Sequence, residues 1–480
     1  MRRNISSRFK NMVHLFGFGL LAIVALAHVA TAQNMPQSFA DIVEDLMPAV
    51  VNISISTTVQ NPPGIQMSPF EDFFEEFMER DEKEQPKNRR VSSLGSGFVI
   101  DPSGIVITNN HVVENAEEII VNFSNGEKFK AELLGRDPKT DLAVLKIITE
   151  KKLPFVKFGD NTKARVGDWV IAIGNPFGLG GSLSVGVISA INRDINSGPY
   201  DSYIQTDAAI NKGNSGGPLF NMDGEVIGVN TAIISPTGGS VGIGFSIPAD
   251  MAQIVITQLR EYGETRRGWL GVRIQRITED LAESLGLSKP KGALVSEIIP
   301  GGPADEAGMK QGDVILSFDG KEVAEMRDLP RIVAETPIDK AVQVKVQRRG
   351  KVVTLKVKVG RLEESDQLAE SQDANSKKQT NQSGLKLLGL TLEKLDAKTR
   401  GRAGLDDDKE GVLIAKVDAD SSASESGVKS GDIIIEVDQK SVAKPQDVRD
   451  LVNKAKKAGK KSILVLMHTL EGLRFVAIKI

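Results

Sequence analysis

A chain of 480 residues with no cysteine and only four histidines excludes a cysteine nucleophile, a thiolate metal centre and any disulfide framework. Its 60 basic and 63 acidic residues leave a formal charge of −3, a poor basis for binding nucleic acid. So long a chain exceeds one hydrophobic core, and about three domains are expected.

The opening MRRNISSRFK is basic, an apolar run follows over Leu15–Val29, and Ala30-Thr31-Ala32 precedes Gln33. This is the pattern of a cleaved secretory signal over residues 1–32, with an apolar run too short for a membrane span. Removing it takes away Arg2, Arg3, Arg8 and Lys10 and no acid, which moves the formal charge from −3 to −7. His14 and His28 leave as well, so a histidine-dependent mechanism must use His111 or His468.

Residues 33–263 carry short β-branched runs such as GSGFVI, GIVITNNHVV, DLAVLKI and VIGVNTAII, broken by Asp-Pro-Ser-Gly, Asn-Gly and Asp-Gly turns. Helical periodicity emerges only near Ala249–Arg260, so the reading is a β-barrel domain closed by one helix. Residues 60–92 interrupt this pattern with a polar, charged stretch carrying Phe70, Phe73, Phe74 and Phe77, which is expected to leave the barrel as a mobile loop.

Farther on the chain repeats itself. The stretch beginning at Gly292 aligns without a gap to that beginning at Gly411, and Gly308/Gly427, Gly312-Asp313/Gly431-Asp432 and Val323/Val442 fall in register. Two copies are too few for a solenoid, so two small tandem domains are expected over 264–361 and 385–480. Residues 362–384 between them are almost free of apolar side chains and read as a flexible linker.

INKGNSGGPLF, residues 210–220, holds Ser215 in a G-x-S-x-G pattern that also marks the nucleophile elbow of α/β-hydrolases. That fold needs a helix after the serine and a histidine later still. Here the following residues read as strand, Asp-Gly turn and strand, and the only later histidine, His468, lies in the second repeat. The order His111, Asp141, Ser215 satisfies the other arrangement of a serine triad. A serine hydroxyl attacks only when a base accepts its proton; histidine has the pKa for that task, and an acid fixes its tautomer. Asp207 is a rival acid, but its place eight residues before Ser215 favours a structural role. Gly213 permits the turn by which backbone amides of the Gly213-Asn214-Ser215 stretch meet an oxyanion, and Gly216 and Gly217 are expected to keep bulk from the substrate.

GSGFVIDPSGIVITNNHVV, DPKTDLAVLKI, IGNPFGL, IQTDAAINKGNSGGPLFNMDGEVIGVNTAI and the two repeats resemble the HtrA family of serine proteases, in its DegP-like branch with two PDZ domains. The resemblance implies a mainly β chain, with a chymotrypsin-type double β-barrel over 33–263 and PDZ domains over 264–361 and 385–480. It implies ATP-independent hydrolysis of misfolded envelope proteins in the periplasm, without cofactor or metal, by subunits that assemble into trimers and larger oligomers. Residues 60–92 would then cover a neighbouring subunit's active site. Asn214 stands where digestive enzymes carry an aspartate that pairs with a newly cut N-terminus, so no such activation is expected.

By the same resemblance Ala209, Ile210, Ile234 and Ile243 line an apolar primary pocket suited to aliphatic residues, and Thr231 is a further substrate-binding residue. Leu270, Gly271, Val272, Arg273 and Ile274 form the carboxylate loop and peptide-accepting strand of the first PDZ domain, for free C-terminal peptides, and Trp269 is open to a core or a binding role. Leu387-Leu388-Gly389-Leu390 holds the same place in the second. The loop 193–201 is the expected mobile element between PDZ domain and protease. Peripheral contact with a membrane is a further expectation. A chaperone that holds unfolded clients, and a two-PDZ adaptor on an inert scaffold, are the alternatives to a protease; an intact triad argues against the adaptor.

Overall fold

The computed structural model of the protein describes residues 38–59, 89–175, 181–211, 213–235, 239–362, 384–395, 400, 410–470 and 472–480. The expected signal, nearly all of the 362–384 linker and residues 60–88 of the expected loop lie outside these. Residues 89–92 are not part of an excursion: Arg89 pairs with Val59, and the strand runs unbroken to Asp101 because its backbone continues the antiparallel register set at Val50↔Phe98.

The first six strands are β1 (Val50–Val59), β2 (Arg89–Asp101), β3 (Ile105–Thr108), β4 (Glu118–Phe123), β5 (Lys128–Asp137) and β6 (Leu142–Ile147). They close into a barrel in the order β1-β2-β3-β6-β5-β4. A second barrel is built from β7 (Trp169–Gly174), β8 (Ser182–Arg193), β9 (Tyr203–Thr206), β10 (Pro218–Phe220), β11 (Val226–Ile233) and β12 (Gly244–Pro248). Its order, β7-β8-β9-β12-β11-β10, repeats that of the first six positions on. Closure leaves neither sheet an unpaired edge.

One apolar cluster fills the seam between the barrels, with Phe98, Ile107, Leu142 and Val144 from the first and Ile171, Ile173, Phe220 and Val229 from the second. The helix Ala249–Tyr262 adds Ala252, Val255, Ile256 and Leu259 to it. That helix follows the second barrel in sequence yet lies on β5 and β6 of the first, and Gly263 ends it in the left-handed region with φ 75°. The approach is so close that a Cβ at Gly135 would come 2.5 Å from the Gly263 carbonyl oxygen, which explains a glycine within β5. Among the described residues no helix is long and apolar enough to cross a membrane.

In the first PDZ domain, strands 272–275, 293–298, 314–318, 341–348 and 351–358 form one sheet in that spatial order, while Gly268–Trp269 pairs with Gly360–Arg361. In the second, the order is 385–387, 390–394, 412–417, 433–437, 462–469 and 472–479. The two domains pack face to face: Ile277, Leu281 and Leu294 of the first share a buried cluster with Leu464, Leu466 and Phe475 of the second. Gln275 completes the contact, donating to the Phe475 carbonyl at 2.7 Å and accepting from the Phe475 amide at 2.9 Å.

Candidate active site

His111 lies on the single helical turn Asn110–Val113 that follows β3, and Asp141 lies in the β5–β6 connection, so both come from the first barrel. The Asp141 carboxylate grips His111 twice. One oxygen accepts from the His111 backbone amide at 3.0 Å, and the other meets Nδ1 at 2.7 Å. Asp141 has φ 56°, a left-handed conformation that aspartate tolerates better than most residues, and Asn109 pins it by donating to its carbonyl at 2.8 Å. With its Nδ1 side committed to a carboxylate, the imidazole presents Nε2 for proton transfer. Both side chains are about a quarter exposed, at 27% and 26%, so the pair is neither sealed off nor freely solvated.

Thr231 of β11 donates its hydroxyl to Asp141 Oδ2 at 2.6 Å. Its side chain thus serves the carboxylate, while its carbonyl lies 3.5 Å from Ser215 Oγ, beside the reacting atom. Ile210 does not fit its expected place as a lining residue of the primary pocket. It is 1% exposed within the core of the second barrel, where a Cβ at Gly244 would press on it, and is held by packing. Ile234 is 52% exposed, and its amide donates to the Ile243 carbonyl at 3.2 Å, so these two form an accessible apolar rim. Asp207 accepts from the Val187 amide at 2.7 Å and ties β8 to the strand entering the loop, the structural role expected of it.

Ser215 sits on a loop of the second barrel that the first barrel holds from below. Ser96 of β2 donates its amide to the Ser215 carbonyl at 2.9 Å and its hydroxyl to the Gly213 carbonyl at 2.5 Å. The same hydroxyl accepts from Asn175, and Thr108 secures the Ser96 carbonyl at 2.8 Å. Gly213 has φ 103° and Gly216 φ 84°. A Cβ at Gly216 would overlap the Ser96 carbonyl and the Thr108 hydroxyl, and one at Gly217 would crowd the Ile173 carbonyl. Gly216 is thus required by the contact with the first barrel, and Gly217 by close packing on β7 within the second.

Because a peptide unit is planar and trans, its N–H and C=O point in opposite directions. The Asn214 carbonyl accepts from Gly217 at 3.0 Å, so the Ser215 N–H in the same plane points the other way. The Asn214 amide is spent on the Asn211 carbonyl at 3.0 Å, which removes Asn214 from the expected set of three oxyanion donors. Among the described residues no cluster of three or more histidine and carboxylate side chains is arranged to hold a metal ion.

The loop 193–201 is closed by Asp201, which accepts from the amides of Ile195 at 3.0 Å and Ser197 at 2.8 Å. Ser197 also meets the phenol of Tyr203 at 2.9 Å, and burial pushes that phenol's pKa up, keeping it neutral. From the first PDZ domain Arg327 reaches Asp194 of this loop at 3.3 Å. The Asn196 amide, with Arg327 as a smaller influence, holds the Asp194 carboxyl below the usual range.

In the first PDZ domain the carbonyls of Leu270 and Gly271 accept from Ala304 and Ile299, both at 2.9 Å. The amides of Gly271 and Val272 in those two peptide planes consequently face away from Ala304 and Ile299. Arg273 and Ile274 follow on a strand whose outer edge pairs with no other strand among the described residues. Trp269 is a brace: its ring lies against Gly271, Gly302 and Gly360, where a Cβ would come within 3.2–3.4 Å of it.

Residues 95–229 match the trypsin-like peptidase domain family, and residues 268–359 and 387–471 match the PDZ domain family. A protein of Bartonella henselae named as a probable periplasmic serine endoprotease, DegP-like, is 41% identical over 99% of this chain and 97% of its own length. One of the same name from Rhizobium meliloti is 42% identical over 92% of each. The solved HtrA-type protease AlgW with decapeptide superposes with a TM-score of 0.57 at 41% identity, covering 68% of this chain and 98% of its own. These relatives are named as proteases, so a holdase with secondary cutting is not the favoured reading. A double-barrel peptidase domain followed by two PDZ domains, together with relatives this similar, places the chain in the HtrA family as a DegP-like serine endoprotease.

Proposed function

We propose that Ser215 is the nucleophile, His111 its base and Asp141 the group that orients His111, with the amides of Gly213 and Ser215 as the oxyanion donors. The observation that carries this reading is the double grip of Asp141 on His111, at 3.0 and 2.7 Å, on the first-barrel side of the seam that also holds the Ser215 loop. As Ser215 Oγ bonds to the scissile carbonyl carbon, its proton passes to His111 Nε2. The carbonyl oxygen takes up the negative charge facing the two amides. Collapse of that intermediate breaks the C–N bond, and His111 returns the proton to the leaving amine. Water then repeats the sequence on the acyl-enzyme.

The substrates are unfolded or damaged polypeptides of the periplasm, the compartment in the names of the relatives, reached through a signal over residues 1–32. The apolar rim of exposed Ile234 and half-buried Ile243 supports cleavage after small or medium aliphatic residues over cleavage after Lys or Arg. The first PDZ domain takes a free C-terminal carboxylate at Gly271 and Val272 and an extended peptide along Val272–Gln275, a reading supported by the open edge of that strand and the inward-turned carbonyls. Assembly into trimers and larger oligomers is part of the same reading, supported by the family resemblance.

Ser215→Ala and His111→Ala test it on a reduced, unfolded protein substrate. Triad members act as a unit, so each is expected to abolish cleavage by a similar factor of about 10⁴ or more. Activity of Ser215→Ala within about tenfold of the parent overturns the assignment.

A further inference from the structure

The two PDZ domains differ at the one edge on which a peptide would add. In the first, the segment ahead of the carboxylate loop, Gly268–Trp269, turns away to pair with Gly360–Arg361, and among the described residues no strand pairs with the outer edge of Val272–Gln275. In the second, the corresponding segment folds back: Leu385 pairs with Leu392, Lys386 with Thr391 and Leu387 with Leu390, so Leu385–Leu387 becomes the outermost strand of the sheet. It touches the helix Pro445–Lys457, and Leu385 and Leu387 pack onto the domain's core.

The reversal uses a two-residue turn in which both Leu388, φ 53°, and Gly389, φ 77°, are left-handed, the conformation of a type I′ hairpin. Leucine adopts it at a conformational cost, which the packing of Leu385 and Leu387 offsets. The first domain has no such turn, since only Gly271 of Leu270-Gly271 has positive φ. There Leu270 is buried and its carbonyl accepts from Ala304, whereas among the described residues no such bond joins Ala423 to Leu388.

The cause is traceable to one pair of positions. Trp269 lies so close over Gly302 that a Cβ there would come 3.2 Å from its ring. The second repeat has Ser421 in place of Gly302, and its side chain occupies the space beside Gly389. A serine at that point would crowd an indole, and Leu387 stands in the tryptophan's position. Without the aromatic brace, the preceding chain lies down on its own sheet.

We propose that the second PDZ domain is occupied by its own chain: Leu385–Leu387 fill the edge of Leu390–Lys394 on which an incoming peptide would pair. A peptide gains access only by displacing that strand. The protein thus carries two PDZ folds and a single standing peptide site, in the first domain, which in that respect rests on the reading given above.

Two measurements on the full chain carrying Ser215→Ala test it. In hydrogen exchange without peptide, residues 385–394 are expected to be protected as a paired strand, and exchange there as fast as from an open edge overturns the proposal. Next, a peptide of alternating serine and valine ending in a free carboxylate, with a benzoylphenylalanine cross-linker, is photolysed on the protein. Labelling at 390–394 is expected at about a tenth or less of that at 272–275, and to approach it when Leu385→Ser and Leu387→Ser loosen the strand. Equal labelling of both edges in the parent chain overturns self-occupancy. Labelling of neither edge in the parent overturns the peptide site of the first domain, while exchange still decides the second independently.

Discussion

Arg267 and Asp137 stand 130 residues apart in sequence and form a forked ion pair at the root of the first PDZ domain. Nη1 donates to Oδ1 at 3.1 Å and Nη2 to Oδ2, with the side chains only 6% and 3% exposed. Thr140, next to Asp141, donates its hydroxyl to the same Asp137 carboxylate, and the guanidinium carbon of Arg267 lies 4.9 Å from the centre of the Tyr200 ring in the 193–201 loop. Removing one partner of such a pair strands a buried charge, so Arg267→Ala is expected to destabilise the protease domain by about 3–5 kcal/mol. Arg267→Lys should recover only part of this, because an ammonium cannot reproduce the planar fork. Urea unfolding followed by protease-domain fluorescence checks it, and an unchanged midpoint for Arg267→Ala refutes it.

Thr231→Val keeps the shape of the side chain and deletes the hydroxyl bonded to Asp141. A hydrogen bond to a charged group contributes about 1.5–3 kcal/mol, so kcat is expected to fall by about ten- to a hundredfold with little change in KM. Steady-state kinetics on a small aliphatic peptide substrate decides it; a fall in kcat of less than about twofold would show that the bond does not position Asp141.

Ser96→Ala removes the hydroxyl that holds the Gly213 carbonyl and accepts from Asn175. The loop should then sample orientations in which its amides no longer meet at one point. The expected result is a drop in kcat of about tenfold or more at unchanged secondary structure. Ser96→Thr, which keeps the hydroxyl, should lose less. Equal loss in both variants would point to steric disturbance in place of a missing bond.

His468 is half-buried on the strand Ser462–Thr469, and its pKa is lowered, chiefly by burial, against the opposing pull of Glu297 and Asp432. A histidine whose folded pKa lies below its unfolded value takes up its proton first in the unfolded chain. Its effect is absent well above pH 6.5 and destabilises the fold as pH falls through that value toward the folded pKa. His468→Gln is therefore expected to flatten the loss of second-PDZ stability between about pH 7 and 5, as followed by thermal unfolding. An identical pH slope in the variant refutes this.

Chain order pointed to His111, Asp141 and Ser215 together where each local pattern alone was ambiguous, and the pairing of His111 with Asp141 is found in the structure. Thr231 and Ser96 were hidden for a physical reason. Their work is done 90 residues from Asp141 and 117 residues from Gly213, and a threonine or serine within a strand carries no local sign of such a partner. Ile210 misled because an isoleucine beside a nucleophile reads alike as pocket or core. In the second PDZ domain Leu-Leu-Gly-Leu looks interchangeable with Trp-Leu-Gly-Val; the distinguishing sign was farther along, in Ser421 opposite Gly302.

The repeated strand order of the two barrels has a consequence for how the enzyme can be taken apart. Each barrel consumes all of its own backbone edges, so neither barrel offers a strand for exchange. His111 and Asp141 remain on one half and Ser215 on the other. If the chain is divided in the stretch between Ile147 and Trp169, rejoining depends on the apolar seam and on the helix Ala249–Tyr262, which travels with the second half and straps onto the first. Recovered cleavage would then measure the affinity of two closed surfaces, and weakening that strap at Leu259 would tune the affinity without touching His111, Asp141 or Ser215.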